Sequence, residues 1–328
     1  MRIPFSIEPL CLKNKDYGKN DHRMVLKRWR NNGFLVLTSE EHKKAFLQAV
    51  NSLPNNQIGK EWKEMVTQLC RNKMPLLNLG VSLGDQISDV QIKHLMKELD
   101  IVAVEPCSAV FQDRDQLGIG LEENFEVALY DDFDQCKVFR KLDKLLRDLI
   151  NKGETFDKVW KERFESLSRF AKTIVFVDRY LCPWNNKTRR YEDRGFQKVV
   201  SRLSRDAHPS SLTIICGDFG TPEYVSNRIS HIRTVIKDLV LENNCRGNII
   251  VLSDAKKSRS NDDFKKVFHD RYIRFDDDVV TLGKGLNIFN YSSVPISSDC
   301  SLKTFSKTFY ELEQNLLAKG DSYPLLSH

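Results

Sequence analysis

The chain has 328 residues, of which 41% are hydrophobic and 29% are charged, and its formal net charge is +6. This apolar content excludes a disordered chain and suffices for about two domains of roughly 150 residues each. No run reaches the ~20 apolar residues of a membrane-spanning helix, and the N-terminus lacks the apolar segment of a signal peptide. We therefore expect a cytoplasmic protein with no membrane span.

The eight cysteines are scattered along the chain without a Cys-x-x-Cys pair. None stands at zinc-site spacing from any of the seven histidines. Without a secretion signal, an even number of cysteines does not indicate a disulfide framework. We expect buried apolar cysteines, and the sequence predicts neither a metal site nor a cofactor.

The net positive charge lies entirely in the second half of the chain. Residues 1–150 carry 22 basic and 22 acidic residues, so the whole excess of +6 lies in residues 151–328. An excess of basic residues favours an anionic partner such as nucleic acid, although a modest excess is also typical of a solvated surface.

Residues 1–150 are predicted to form an N-terminal α/β domain of unknown role. Ser39 precedes two glutamates and is the expected N-cap of a helix. The predicted elements are, in chain order, strand 34–37, helices 40–50, 60–71 and 91–98, strands 99–104 and 125–130, and helix 138–151.

Residues 151–328 are predicted to form a second, layered α/β domain. Three of its strands are continuously apolar, which indicates burial on both faces of a sheet. The predicted elements are helix 156–171, strand 173–178, helix 194–203, strand 212–216, helix 223–242, strand 248–252, strands 268–275 and 279–282, and helix 305–318.

The most informative stretch of the sequence is 268–287. On an extended strand His269 and Arg271 point to the same face, since side chains alternate. Asp276 follows the strand, and Gly283 to Gly285 form a glycine turn after the next strand. An arginine fork and a glycine-rich turn suit an oxyanion, so the stretch predicts a phosphate site.

This stretch resembles the active half-site of the phospholipase D superfamily, which reads His-x-Lys, four residues, Asp, six residues and Gly-Ser-x-Asn. Here His269-x-Arg271 is followed after four residues by Asp276 and after six more by Gly283-Lys-Gly-Leu286, with Asn287 one position late. The resemblance covers about residues 155–320. It is closest to the degenerate C-terminal domain of microtubule-interacting-and-trafficking-domain proteins, which is regarded as a non-catalytic, lipid-binding version.

The resemblance implies a mixed sheet flanked by helices and metal-independent phosphodiester chemistry. It implies that His269 is the nucleophile or acid, Arg271 the phosphate clamp and Asp276 the orienting carboxylate. It further implies that phosphate is bound by Gly283, Lys284, Gly285 and Asn287. The chain departs from the family pattern because Arg replaces the Lys, Lys replaces the Ser, and the Asn is displaced.

An active enzyme of this type has two such half-sites. The spacing recurs at His231, Arg233 and Asp238, but these residues fall within the predicted helix 223–242, where positions two apart diverge. We interpret the recurrence as chance. A catalytic form of this chain is therefore predicted to be a homodimer.

Two basic segments are candidates for nucleic-acid contacts. The first follows the strand 173–178 and combines arginines with Trp184 and Tyr191, a mixture that stacks bases and binds phosphates. The second follows the strand 248–252. The candidate residues are Lys187, Arg189, Arg190, Lys256, Lys257 and Arg259. A solvated basic loop is the alternative in both cases.

The sequence leaves three interpretations of the 268–287 stretch open: a structural relic, a phosphate-binding site without cleavage, and a working phosphodiesterase. The leading hypothesis is that the chain recognises a phosphodiester, with nucleic acid as the favoured class. The chain also resembles components of bacterial defence systems. The alternatives are a non-enzymatic adaptor, with residues 1–150 binding a protein partner, and a module for anionic lipids.

Overall fold

The computed structural model describes residues 1–69, 73–81, 83, 88–112, 125–185, 189–191, 193–217, 222–252 and 271–326. It is 49% helical and 22% strand, which confirms the predicted α/β class. The chain divides into two compact units, one of Arg2–Lys144 and one of Leu145–His328 together with Met1.

The N-terminal unit is a four-stranded parallel sheet with helices around it. The strand order is β2-β1-β3-β4, so the chain places β2 on one side of β1 and β3 on the other. The strands are β1 (Ile3–Ile7), β2 (Gly33–Leu35), β3 (Ile101–Val104) and β4 (Glu126–Leu129). The helices are α1 (Lys19–Asn32), α2 (Glu40–Ser52), α3 (Gln57–Glu64), α4 (Asp89–Glu98), α5 (Ala109–Gln112) and α6 (Lys137–Leu145).

The predicted cap of α2 is confirmed, because the Ser39 hydroxyl accepts a hydrogen bond from the His42 amide. The helix predicted for 138–151 instead ends at Leu145. Arg163 donates hydrogen bonds to the carbonyls of Leu145, Asp148 and Leu149. These side-chain hydrogen bonds take the place of the backbone hydrogen bonds that a continued helix would make. The strand β1 was not predicted, although all five of its residues are buried.

The C-terminal unit contains the remaining elements. Its strands are β5 (Thr173–Val177), β6 (Trp184–Asn185), β7 (Arg190–Tyr191), β8 (Ser211–Gly217), β9 (Asn248–Leu252), β10 (Tyr272–Phe275), β11 (Asp278–Leu282), β12 (Cys300–Thr304) and β13 (Asp321–Pro324). Its helices are α7 (Phe156–Arg163), α8 (Glu165–Phe170), α9 (Arg194–Asp206), α10 (Pro222–Asn243) and α11 (Lys307–Lys319).

A seven-stranded mixed sheet in the order β12-β11-β10-β5-β8-β9-β13 forms the centre of this unit. The three strands β5, β8 and β9 are parallel, and they are largely buried, as their continuous apolarity predicted. The hairpin of β10 and β11 continues the sheet from the other side of β5 in antiparallel pairing. The carboxyl ends of β5, β8 and β9 and the start of β10 therefore lie along one edge, which we call the carboxyl edge.

Both faces of this sheet are buried. On one face, Val177 of β5, Ile250 of β9 and Tyr272 of β10 share an apolar cluster with Leu316 of α11. On the other face, Phe176 of β5 packs edge-to-face against Phe196 of α9. Burial on two faces fixes the strand register, because a slip of one residue would exchange the two sets of side chains.

The helix predicted for 156–171 is divided into α7 and α8 at Phe164, which is fully buried and stacks on Trp160. The strands β12 and β13 were not predicted, since both lie at the ends of the sheet and carry mostly exposed or half-buried residues. Among the described residues, no helix has the length and apolar character needed to cross a membrane.

A buried ion pair connects the sheet to α11. The Arg274 guanidinium donates to both carboxylate oxygens of Glu313, with Nε–Oε1 at 2.8 Å and Nη2–Oε2 at 2.7 Å. The two side chains are only 13% and 6% exposed, and the Tyr272 hydroxyl donates to the same carboxylate. Removing one partner would leave a buried charge without compensation.

We expect Glu313→Ala to lower the free energy of unfolding by about 3–5 kcal/mol, as measured by urea denaturation. The double variant Arg274→Met/Glu313→Leu replaces both charges with apolar groups and should lose far less. A single variant no more costly than the double variant would contradict this account.

Candidate functional site at the carboxyl edge

The register of β10 against β5 brings Arg271 and Asp178 together. Tyr272 of β10 pairs with Val177 of β5 in antiparallel fashion. Arg271, which precedes Tyr272, therefore faces Asp178, which follows Val177. The Arg271 Nε lies 3.9 Å from the Asp178 Oδ1. Two residues 93 positions apart in sequence thus meet at the carboxyl edge.

The Asp178 carboxylate organises the backbone around it. Its Oδ1 accepts a hydrogen bond of 2.9 Å from the Tyr180 amide, and its Oδ2 accepts one of 3.3 Å from the Leu286 amide. Burial raises the pKa of the Asp178 carboxyl, an effect that the Tyr180 amide, the Arg271 guanidinium and the Leu286 amide oppose. The side chain is therefore a buried acceptor that ties the loop after β5 to the turn after β11.

Gly285 is required where it stands. Its φ is +63°, and a Cβ at this position would lie 2.4 Å from the Asp178 Oδ2 and 2.8 Å from the Arg271 Cδ. Such contacts are impossible without displacing both side chains. The predicted glycine turn is thus present, and it brings the backbone close to Asp178 and Arg271.

The Arg271 guanidinium rests on an aromatic face. Its Cζ lies 4.8 Å from the centroid of the Tyr180 ring, within the range of a cation–π interaction. The buried Nε has no hydrogen-bond acceptor among the described residues, and the side chain remains 20% exposed. The arrangement holds a positive charge at the surface of the carboxyl edge.

Two further arginines lie at this edge. The buried Arg228 of α10 donates hydrogen bonds to the carbonyls of Gly217, the last residue of β8, and Leu181, in the loop after β5. The Cζ of Arg179 lies 5.6 Å from the Tyr180 ring centroid. Three guanidinium groups therefore lie where β5 and β8 end, and guanidinium groups attract anions.

The structure does not place Asp276 in this site, and the expectation that it converges with Arg271 is wrong. Asp276 follows the other end of β10, about 16 Å away at the strand rise. Its carboxylate accepts hydrogen bonds from the amides of Lys172 and Thr173 at the start of β5. Asp276 also adopts a φ of +49° in the two-residue turn before β11, which is a structural role.

The expectation that the glycine turn offers its amides to an oxyanion also needs correction. The Gly283 amide donates to the Asp299 carbonyl, the Lys284 amide to the Ser298 hydroxyl, and the Leu286 amide to Asp178. These donors are already used, because the turn packs on the segment before β12. The Lys284 side chain is exposed, and Asn287 is half-buried within a 3₁₀ turn.

Several predicted site residues lie outside the described residues. They are His269, Lys187, Lys256, Lys257 and Arg259. The first basic segment is partly described: Arg189 is exposed with a φ of +50°, and the Arg190 backbone belongs to β7.

An aromatic cluster stands on the same loops. Trp184 of β6 packs edge-to-face on Tyr191 of β7 at 5.1 Å and on Tyr224 of α10 at 6.0 Å. Trp184 and Tyr224 are 37% and 38% exposed. Large aromatic side chains at this exposure are the kind that stack against bases.

Asp178, Tyr180 and Arg228 were not among the site residues predicted from sequence. The position of Asp178 directly after a fully apolar strand was a usable signal, because ligands bind at the carboxyl ends of strands in α/β sheets. Arg228 carried no signal, since it lies in a helix and its partners are backbone carbonyls.

Comparison with known proteins adds no assignment. No protein-family model matches the chain, and no curated protein matches it either. The resemblance to phospholipase D therefore stays a prediction from sequence.

We expect Gly285→Ala to destabilise the protein by at least about 2 kcal/mol, because it combines left-handed strain with overpacking against Asp178. Gly283→Ala is the matched control, since its nearest neighbour would be 3.4 Å from the added Cβ. This control should stay within about 0.5 kcal/mol of the parent. Urea denaturation of both variants tests the difference, and equal stabilities would refute the role given to Gly285.

Proposed function

We propose that the C-terminal unit recognises a phosphodiester through Arg271 at the carboxyl edge, and that this phosphodiester belongs to single-stranded nucleic acid. The observation that carries this proposal is the Arg271 guanidinium, which is stacked on Tyr180 and partly exposed at the carboxyl edge. An arginine fork is the side chain best suited to phosphate oxygens.

Asp178 is an ion-pair partner of Arg271 but not a hydrogen-bonded one. Its two oxygens already accept hydrogen bonds from backbone amides, and its separation of 3.9 Å from Arg271 exceeds a hydrogen bond. A phosphate that approaches Arg271 therefore does not have to replace a hydrogen bond from Asp178.

The aromatic cluster favours nucleic acid over an isolated phosphate. Trp184 and Tyr224 offer exposed rings next to the loop that carries Arg189. Stacking platforms combined with basic side chains bind single strands with little sequence preference. The basic excess of residues 151–328 acts in the same direction.

Recognition is better supported than cleavage. The orienting carboxylate that the family resemblance implied, Asp276, is used at the other edge of the sheet. Cleavage would rest on His269 and on a homodimer, both of which remain predictions. A cytoplasmic location and a role in bacterial defence are likewise proposals from the sequence.

The experiment that tests this proposal compares two variants with the same loss of charge. Arg271→Gln should weaken binding of a labelled single-stranded oligonucleotide by about 10- to 100-fold in fluorescence anisotropy. It should also reduce the slope of log affinity against log salt by about 0.7. Lys172→Gln is the control, because the exposed Lys172 side chain precedes β5 at the opposite edge.

Equal losses in the two variants would show non-specific charge attraction and overturn the proposal. Arg271-dependent binding to vesicles of anionic lipid, without binding to the oligonucleotide, would overturn it in favour of the lipid module. His269→Ala should leave oligonucleotide affinity within about twofold, and any nuclease activity lost in that variant would establish cleavage in addition.

Trp184 provides an independent optical test. The chain has four tryptophans, and Trp29, Trp62 and Trp160 are at most 2% exposed. Quenching of tryptophan emission by a bound oligonucleotide should therefore arise at Trp184 and disappear in Trp184→Phe. Quenching that persists in Trp184→Phe would contradict base stacking at this cluster.

A further inference from the structure

A cysteine, an aspartate and a histidine from three separate elements meet next to the aromatic cluster. They are Cys182 in the loop after β5, Asp193 directly before α9 and His231 in the middle of α10. One ligand atom of each lies within 4.8 Å of the other two. Cys182 and Asp193 are buried, and the His231 side chain is 27% exposed.

The surroundings hold this trio in place. The His231 Nε2 lies 2.5 Å from the Asp193 Oδ2, which also accepts a hydrogen bond from the Gln197 side-chain Nε2. The His231 ring stacks on Tyr191 with centroids 4.4 Å apart. Cys182 adopts a φ of +51°. This backbone conformation is rare for residues other than glycine, and such residues cluster at functional sites.

The trio is better suited to bind a cation than to supply a reactive thiol. Although burial alone would raise the pKa of the Asp193 carboxyl, its interactions with His231 and the Gln197 side chain lower that pKa. Burial raises the pKa of the Cys182 thiol, with Arg228 opposing, so the thiolate needs a stronger partner to form. A transition-metal ion supplies that partner and displaces the proton.

We propose that Cys182, Asp193 and His231 form a binding site for a divalent transition-metal ion, with Zn²⁺ the best match. The ligand set of one thiolate, one imidazole and one carboxylate suits Zn²⁺, whereas Mg²⁺ and Ca²⁺ prefer oxygen ligands alone. Three protein ligands leave the fourth tetrahedral position to water. Binding releases the Cys182 proton, and no oxidation or reduction takes part.

Metal binding requires the three ligand atoms to shift. Tetrahedral bonds of about 2.0–2.1 Å place a nitrogen and an oxygen ligand about 3.3 Å apart, so the pair of His231 and Asp193 must open by roughly 0.8 Å. A zinc–sulfur bond of about 2.3 Å places the thiolate about 3.6 Å from each of these two atoms. His231 is only partly buried, which allows its ring to move. The site does not contain Arg271, and it therefore stands or falls independently of the proposed phosphodiester recognition.

The test uses the full chain treated with a chelator and titrated with Co²⁺ as a spectroscopic probe for zinc. We expect one equivalent to bind with a thiolate-to-cobalt charge-transfer band, and Zn²⁺ to remove that band. Cys182→Ser should abolish the band. His231→Gln should weaken binding by more than the ~10- to 100-fold that is typical of losing an outer hydrogen-bond partner.

The matched controls are Cys245→Ser, a buried cysteine at the end of α10, and His208→Gln, an exposed histidine in the same unit. Both should keep the band and the affinity of the parent. Absence of saturable binding, a spectrum without the thiolate band, or a band that survives in Cys182→Ser would overturn the proposal. If Cys182→Ser does not fold by circular dichroism, the partly exposed His231→Gln decides the question.

Discussion

The pairing register of β10 against β5 determines what the carboxyl edge can do. Because Tyr272 pairs with Val177, Arg271 necessarily faces Asp178, and Asp276 is carried to the other end of the strand. Tyr272 is buried against the cluster that includes Leu316, so a slip of one residue would move it to the opposite face of the sheet and break this packing. The positions of the guanidinium and of the turn carboxylate therefore follow from packing in the core.

Asp178 converts this register into a site. Its carboxylate accepts hydrogen bonds from one amide after β5 and from one amide after β11, and the absence of a Cβ at Gly285 lets the backbone approach it. The Asp178 carboxylate is hydrogen-bonded to the two backbone amides, and its contact with the neighbouring Arg271 is longer than a hydrogen bond. Arg271 therefore packs on Tyr180 and does not form a close ion pair with Asp178.

The sequence predicted the layered α/β class and most buried elements, because continuous apolar strands and helical stripes report burial directly. Asn248–Leu252 was predicted to the residue, and the long helix at Pro222–Asn243 nearly so. The strands β12 and β13 were not predicted, since exposed edge strands carry no apolar pattern. Asp276 was misplaced because adjacency in sequence was taken for adjacency in space. The distance between the two ends of an extended strand argues against that assumption.

The trio of Cys182, Asp193 and His231 escaped for a related reason. Metal-site spacing in sequence describes ligands held by one turn or one hairpin, whereas these three are brought together by the fold from three elements. The loop after β5 serves both clusters, with Asp178 and Tyr180 facing Arg271, and Cys182 facing α10. Arg228 holds the carbonyl of Leu181 between them. One short segment is thus fixed from two sides, which is possible only because it follows a central strand of the sheet.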